Sequence, residues 1–327
     1  RGHQRYLGTV RMSTMLGKTA GGLFWMFRYL ERSENTVRMI DAGFRIALTR
    51  YDDAHDEWGS VLTTTGTRQG FFERYESIDG AAVVNHLLRD TSNPSSVISV
   101  VDAARNNARL VRASLTREVW EATNNAWMTI RALLQRQVRE RELPHVLDTI
   151  RKQSAQVRGA LHGTMLRNDI FDFARLGTFV ERADNTARIL DVKYYVLLPS
   201  ARHVGSTLDN VQWETILRSV SAIRSYRLLN DGEISARGIA NFLIIDQRMP
   251  RSLAFCYSKI EDNLGYLAND YGELLGSHTL AETIGDRFRS QSVEDIFDTG
   301  LHEFLEDFIR DNIALAAQIE WDYRFYG

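Results

Sequence analysis

This sequence predicts an all-α fold, on three observations. The chain has 327 residues but only four prolines, where average usage would give roughly sixteen. Its 22 glycines are ordinary, so the deficit falls on the residue that breaks helices. Apolar residues recur at helical spacing over long stretches, and alternating strand patterns are nearly absent, with Phe242–Ile245 the one ambiguous run. A hydrophobic content of 44% with 25% charge describes a globular chain and excludes a disordered one. The length suits one large or two moderate domains with ample core.

Taken in order, residues 1–14 are basic but lack the apolar centre of a secretory signal, and they are expected to lie outside the fold. Met12 or Met15 would be a natural start. Thr19 is placed to cap a helix running from about residue 20 into the early fifties, with Met26, Tyr29, Leu30, Val37, Ile40 and Phe44 as its apolar stripe. Further helices are expected from Ser95 to about Leu115 and from His145 to Leu166. A second long helix starts near Asp169, carries Phe179, Val180, Ala183, Ala187 and Leu190 at the same spacing, and stops at Pro199. Ser252–Tyr271 and Leu301–Tyr323 complete the series. Pro94, Pro144, Pro199 and Pro250 read as punctuation between helices.

Composition excludes several functions. A formal charge of -2 gives no electrostatic case for nucleic acid or an anionic membrane. No run reaches the roughly 18 apolar residues of a membrane span. A lone cysteine, Cys256, rules out a disulfide framework and a cysteine-rich zinc site and points to a reducing, cytoplasmic compartment; beside Phe255 and Tyr257 it reads as a buried thiol. Gly17-Lys18-Thr19 lacks the earlier glycine and strand of a phosphate-binding loop. The only Glu-x-x-His, Glu142 to His145, is interrupted by Pro144, and the eight histidines, read as surface or boundary residues, show no four-residue pairing. No metal or cofactor is therefore predicted, although carboxylates alone could still hold a metal. The acidic run Asp52–Glu57 reads as a solvated loop and helix start, and Trp58 and Trp213 as packing residues.

The sequence repeats itself. YLERSENTVRMID at 29–41 matches FVERADNTARILD at 179–191, and VNHLLRDTSNPSSV at 84–97 matches ANFLIIDQRMPRSL at 240–253. The second match aligns Asn85 with Asn241, Asp90 with Asp246, Pro94 with Pro250 and Ser96 with Ser252. Trp58 with Trp213 and Asn107 with Asn263 keep the same order. An internal duplication follows, with halves at 15–165 and 166–327. No Gly/Ser/Pro-rich linker separates them, so two pseudo-twofold-related bundles packed as one body are expected, with the two motif helices meeting near the axis.

In the thirteen-residue match the identical positions are all polar: Glu31/Glu181, Arg32/Arg182, Asn35/Asn185, Thr36/Thr186, Arg38/Arg188 and Asp41/Asp191. Apolar positions have drifted instead. Packing alone tolerates hydrophobic exchange, and a solvated face would drift further, so the polar side must be held to specific partners. On a helix Glu31, Glu34, Arg38 and Asp41 share one arc with Asn35 at its edge, and Glu181, Asp184, Arg188, Asp191 and Asn185 repeat it. Arg32 and Arg182 project from the flank. These residues could bind a substrate or partner, act as acid/base groups with an arginine holding an anion, or form an inter-repeat ion-pair network. Asn85, Asp90, Asn241 and Asp246 are secondary candidates, with helix capping as their structural alternative.

The segment MLGKTAGGLFWMFRYLERSENTVRMID, with FARLGTFVERADNTARILD as its second copy, resembles the Alpha-E family of helical bacterial proteins from about residue 15 to the C-terminus. That family usually shows arginine where Thr178 stands, matching Arg28 of the first copy; Arg28 is a further secondary candidate, and its pseudo-symmetric mate is missing here. The resemblance implies genomic company: circularly permuted ATP-grasp proteins, transglutaminase-like proteases and, in some bacteria, a proteasome-related peptidase. It implies an accessory or partner role in an ATP-grasp amide or peptide ligase system, with no reaction assigned to the chain itself. A ligand-free scaffold is the blander reading, and a homo-oligomer stays open.

Overall fold

Small polar residues mark where helices start in this chain. Asp79, Ser96, Thr116, Ser235, Ser252 and Ser292 each accept a hydrogen bond from the backbone N–H three residues on, satisfying an orphan donor of the first turn. The structure, a computed structural model, describes residues 17–48, 54–196, 207–230 and 234–326. Its helices are α1 (Gly17–Ala47), α2 (Ala54–Thr64), α3 (Arg68–Phe72), α4 (Gly80–Leu88), α5 (Val97–Leu110), α6 (Arg117–Leu133), α7 (Leu143–Thr164) and α8 (Asp169–Val196). They continue as α9 (Thr207–Ser219), α10 (Ile223–Leu229), α11 (Ala236–Ile244), α12 (Leu253–Tyr271), α13 (Gly276–Ser290), α14 (Val293–Thr299) and α15 (Leu301–Asp322). Among the described residues there is no strand.

The predicted all-α class is what the structure shows. The ambiguous run falls on the end of α11, and its Phe242, Leu243 and Ile244 are buried. Two local expectations are corrected. Thr19 lies inside α1, which already runs at Gly17, so it is not the cap. Pro144 does not separate helices but sits in the first turn of α7, where its missing N–H costs nothing. Residues 1–14, His3, Asp52, Asp53 and Pro199 lie outside the described residues, as do the side chains of His55 and His203. Beyond the six expected helices and the helix start at Asp52–Glu57, eight of the fifteen helices among the described residues went unread, short ones such as α3 and α10 because they carry too few turns for a periodic signal.

Helices α1 and α8 form the centre and pack along each other. Leu23, Phe24, Met26, Phe27, Val37 and Ile40 of α1 are fully buried, as are Phe173, Leu176, Val180, Ala183 and Ala187 of α8. Around them the contacts recur in order: α1 packs on α2, α5 and α7, and α8 on α9, α12 and α15. Helix α2 also reaches α8, and α9 reaches α1. Helix α8 comes close to α1 at Gly177, where an added Cβ would lie 2.1 Å from the backbone oxygen of Phe24. Only a residue without Cβ allows α8 this close to α1.

Gly177→Ala should therefore cost about 1–3 kcal/mol by overpacking, read as a lower urea midpoint with retained helical circular dichroism. An unchanged midpoint would show that the two helices are not held at this distance.

Candidate functional site

The shared Glu-Arg pairs cross between the central helices. Arg32 of α1 donates to Glu181 of α8 from Nε (2.5 Å) and Nη2 (3.0 Å). Arg182 of α8 donates to Glu31 of α1 from Nε (2.9 Å) and Nη2 (3.0 Å). Each copy thus supplies the carboxylate for the other copy's guanidinium, in the two-bond fork that arginine makes with carboxylates. Glu31, Glu181 and Arg182 are buried, and Arg32 is half-buried. Adjacent residues on a helix point about 100° apart. A Glu-Arg doublet can therefore give and receive across one helix interface only if the partner carries the same doublet in register.

Further guanidiniums crowd the first copy. Glu31 also meets Arg251 Nη2 at 3.1 Å and Arg158 Nη1 at 3.6 Å. Glu34 accepts from Arg38 on its own helix at 2.6 Å, from Arg251 at 3.0 Å and from Arg158 of α7. Arg251 Nη1 reaches Asn35 Oδ1 at 3.0 Å. At the second copy, Glu181 is joined by Arg28 Nε at 3.0 Å, whose guanidinium lies over Trp25 at 4.6 Å. Asp184 pairs with Arg188 at 2.7 Å. Thr178, matched to Arg28, turns its hydroxyl to the Ala174 carbonyl instead. Arg28 thus acts without a duplicate.

Burial would raise the pKa of Glu31, but Arg182, Arg251 and Arg158 hold it well below the ordinary range. Burial opposes ionisation of Glu181 too, and Arg32 and Arg28 hold it low. Glu34 is lowered by Arg251, Arg158 and Arg38 against burial and the charge of Glu31. Burial, with Arg38 and Arg182 nearby, brings Arg251 down to about 10 despite Glu31 and Glu34, leaving it charged near neutrality.

A polar cavity of about 270 Å³ opens beside the second copy. Arg32 and Asn35 of α1 line it, together with Glu181, Asp184, Asn185 and Arg188 of α8. Ser95 and the Thr64–Gly66 turn after α2 close it. The amide nitrogens of Asn35 and Asn185 are buried without a hydrogen-bond partner. A cavity walled by polar and charged side chains suits a polar guest or water.

Six of the twelve motif residues therefore meet at one cavity wall, with Glu31, Glu34, Arg38 and Arg182 in the ion-pair network beside it. Asp41 and Asp191 turn away. Asp41 holds Arg45 and Arg151 of α7, and Asp191 lies 2.6 Å from His302 of α15. The secondary candidates serve their own loops. Asp90 Oδ1 accepts from the Ser92 N–H and Asp246 Oδ1 from the Arg248 N–H, Asn85 bonds Tyr75, and Asn241 is exposed. None of the four lines the cavity. Sequence reasoning missed Arg158, Arg251 and Ser95, although the match at 84–97 and 240–253 already set Arg251 opposite Ser95.

Other expectations need correction. His86 is not a boundary residue: it is buried, its Nδ1 3.4 Å from Asp90 and its Nε2 unpaired. Glu57 is buried on α2 rather than solvated, because α2 is pressed against the central helices. Cys256 is buried as expected, and burial pushes its thiol up to about 12. Among the described residues no group of three or more His, Cys, Asp or Glu side chains is placed to hold a metal, and no helix is long and apolar enough to cross a membrane. A second cavity of about 590 Å³ lies between α8 and α12, lined in part by His162, Arg175, Tyr266, Asp270 and the buried Asp172. Burial, aided by the charges of Asp270 and Asp169, raises Asp172 to about 7.

Comparisons with known proteins give the chain's relatives. The Alpha-E family model, described as a predicted alpha-helical domain with a conserved ER motif, matches residues 15–323. An uncharacterized protein of Mycobacterium bovis is 24% identical over 318 residues, the match covering 87% of this chain and 35% of the relative. An uncharacterized protein of Mycobacterium tuberculosis is 23% identical with the same coverage. The chain thus spans about a third of the length of these relatives. No solved structure matches it.

Two outcomes follow from the electrostatics. Glu181→Gln leaves Arg28 and Arg32 without their carboxylate and should cost about 3 kcal/mol or more in urea unfolding; a loss under ~0.5 kcal/mol would contradict the pairing. The second concerns pH. Glu31 and Glu181 titrate below their unfolded value near 4.5, so their stability is present above that pH and is lost as pH falls through the folded values. Asp172 titrates above its unfolded value of 3.8, so between about 4 and 7 the native state binds the extra proton and stability falls as pH rises. Asp172→Asn should flatten the slope between pH 4 and 7 and leave the acid limb intact. An unchanged slope would contradict the placement of Asp172.

Proposed function

The chain belongs to the Alpha-E family, and from that premise we propose that it is an accessory protein of an ATP-grasp amide or peptide ligase system. In this reading the crossed Glu-Arg pairs hold the two central helices in register, and the cavity beside the second pair receives substrate or a partner side chain. The cavity itself carries the proposal. Its wall is drawn from both motif copies, and two of the lining residues, Asn35 and Asn185, keep a buried side-chain nitrogen without a partner. The length of the relatives outside the match supports a helical unit that works with further sequence.

Two other readings are less well supported. An enzyme using the motif carboxylates for acid/base work needs a group poised near neutrality. Glu31 and Glu181 are held ionised by two or more guanidiniums each and have no proton to give there. A ligand-free scaffold accounts for the ion pairs but gives no reason for unpaired amides on residues that line a cavity.

The test is copurification with a circularly permuted ATP-grasp protein from the same organism. A complex, and ligase activity that depends on it, are expected. Asn185→Leu replaces an unpaired amide with an apolar group of similar size, so stability should stay within ~0.5 kcal/mol while the stimulation is lost. Absence of a complex, with ligase activity indifferent to the chain, would refute the accessory role. A fully active Asn185→Leu complex would move the site away from the cavity.

A further inference from the structure

The two matched loops, α4 to α5 and α11 to α12, are built alike. Asn85 O accepts from the N–H groups of residues 89 and 90, and Asn241 O from those of 245 and 246. Ser96 and Ser252 cap the helices that follow. The residue before each cap therefore occupies the same place in its loop, and there the copies differ: Arg251 in one, Ser95 in the other.

Arg251 shows what that place is suited to hold. One edge of its guanidinium donates to Asn35 Oδ1 (3.0 Å), and Nη2 to Glu34 Oε1 (3.0 Å) with Glu31 Oε1 at 3.1 Å. The residues matched to these three acceptors are Asn185, Asp184 and Glu181. All three line the 270 Å³ cavity, and so does Ser95, whose side chain is too short to reach them. Glu31 Oε1 takes both Arg182 Nε and Arg251 Nη2, whereas its counterpart Glu181 Oε1 takes Arg32 Nε, with Arg28 of the facing helix α1, rather than a loop residue, on Oε2. The cavity is thus the second copy of a guanidinium seat whose own arginine is replaced by serine.

We propose that this cavity binds a guanidinium-bearing ligand, held by Glu181, Asp184 and Asn185 where Arg251 is held by Glu31, Glu34 and Asn35. This rests on the reading of the cavity as a ligand site and names the ligand's chemistry. A planar fork bridging an amide oxygen and carboxylates favours guanidinium over the point charge of an ammonium. The cavity holds the volume of about nine waters, more than one side chain needs. Arg32 and Arg188 on the same wall are donors for a carboxylate, as in arginine itself.

The test is calorimetric titration of the full chain with L-arginine, agmatine, L-citrulline and the tripeptide Gly-Arg-Gly. Arginine and agmatine are expected to bind, and citrulline, which keeps the shape but loses the charge, to bind at least roughly tenfold more weakly. Tripeptide binding tighter than free arginine assigns a peptide-borne guanidinium, and weaker binding a free small molecule. Ser95→Arg supplies the missing guanidinium in cis and should abolish arginine binding while raising the thermal midpoint. Should Ser95→Arg fail to fold, Asp184→Asn decides, with an expected loss of roughly tenfold in arginine affinity. Citrulline binding as well as arginine, no binding of either guanidine at millimolar concentration, or a folded Ser95→Arg that binds arginine undiminished would overturn the proposal. Arginine binding without an ATP-grasp complex would refute the accessory role and leave the guanidinium seat standing. A complex that Asn185→Leu destroys, with no arginine binding, would do the reverse.

Discussion

Four charged side chains between two helices, three of them buried and Arg32 half-buried, constrain the rest of this molecule. Placing Glu31, Arg32, Glu181 and Arg182 away from water is costly, and the cost is offset only where each charge finds its opposite in good geometry. The crossed forks meet that condition at one register of α1 against α8. A slip of one residue would rotate both doublets by about 100° and leave charges unpaired. The close approach at Gly177 belongs to the same register, because it brings the backbones near enough for arginine on one helix to reach glutamate on the other.

The demand for pairing propagates outward. Glu34, one turn on, is brought into the buried layer and draws in Arg38, Arg158 of α7 and Arg251 from the loop before α12. The central pairs thereby tie helices from both ends of the chain to one point. The second copy repeats the centre but not the surround. Arg28 joins Glu181 there, Ser95 stands where arginine stands opposite, and a cavity remains. The two matched segments thus share the crossed pairs and differ in the residue opposite, Arg251 in one and Ser95 in the other.

Much of this was legible in the sequence. The scarcity of proline and the helical spacing gave the all-α class, and identical polar residues amid drifting apolar ones showed that the charged face had fixed partners. That each glutamate's partner is the other copy's arginine was not legible, because spacing along one helix says nothing about which residue faces it across an interface. Arg158 was invisible for the same reason: nothing local sets it apart from the many surface arginines. Arg251 opposite Ser95 was on view in the aligned loops, but a mismatch between copies reads as drift until the loop geometry shows that both residues aim at matched acceptors. The buried states of His86 and Glu57 escaped because each lies on a short helix whose burial is decided by the layer packed over it.

The most direct measurement is a double-mutant cycle on one crossed pair: Arg32→Ala, Glu181→Ala and the double variant, each followed by urea unfolding at neutral pH. If the pair clamps the helices, the single changes are strongly non-additive and the coupling energy exceeds about 1.5 kcal/mol. Additivity within ~0.5 kcal/mol would mean that the two residues are neighbours rather than partners, and the crossed Glu-Arg pairs would no longer explain why this motif occurs twice.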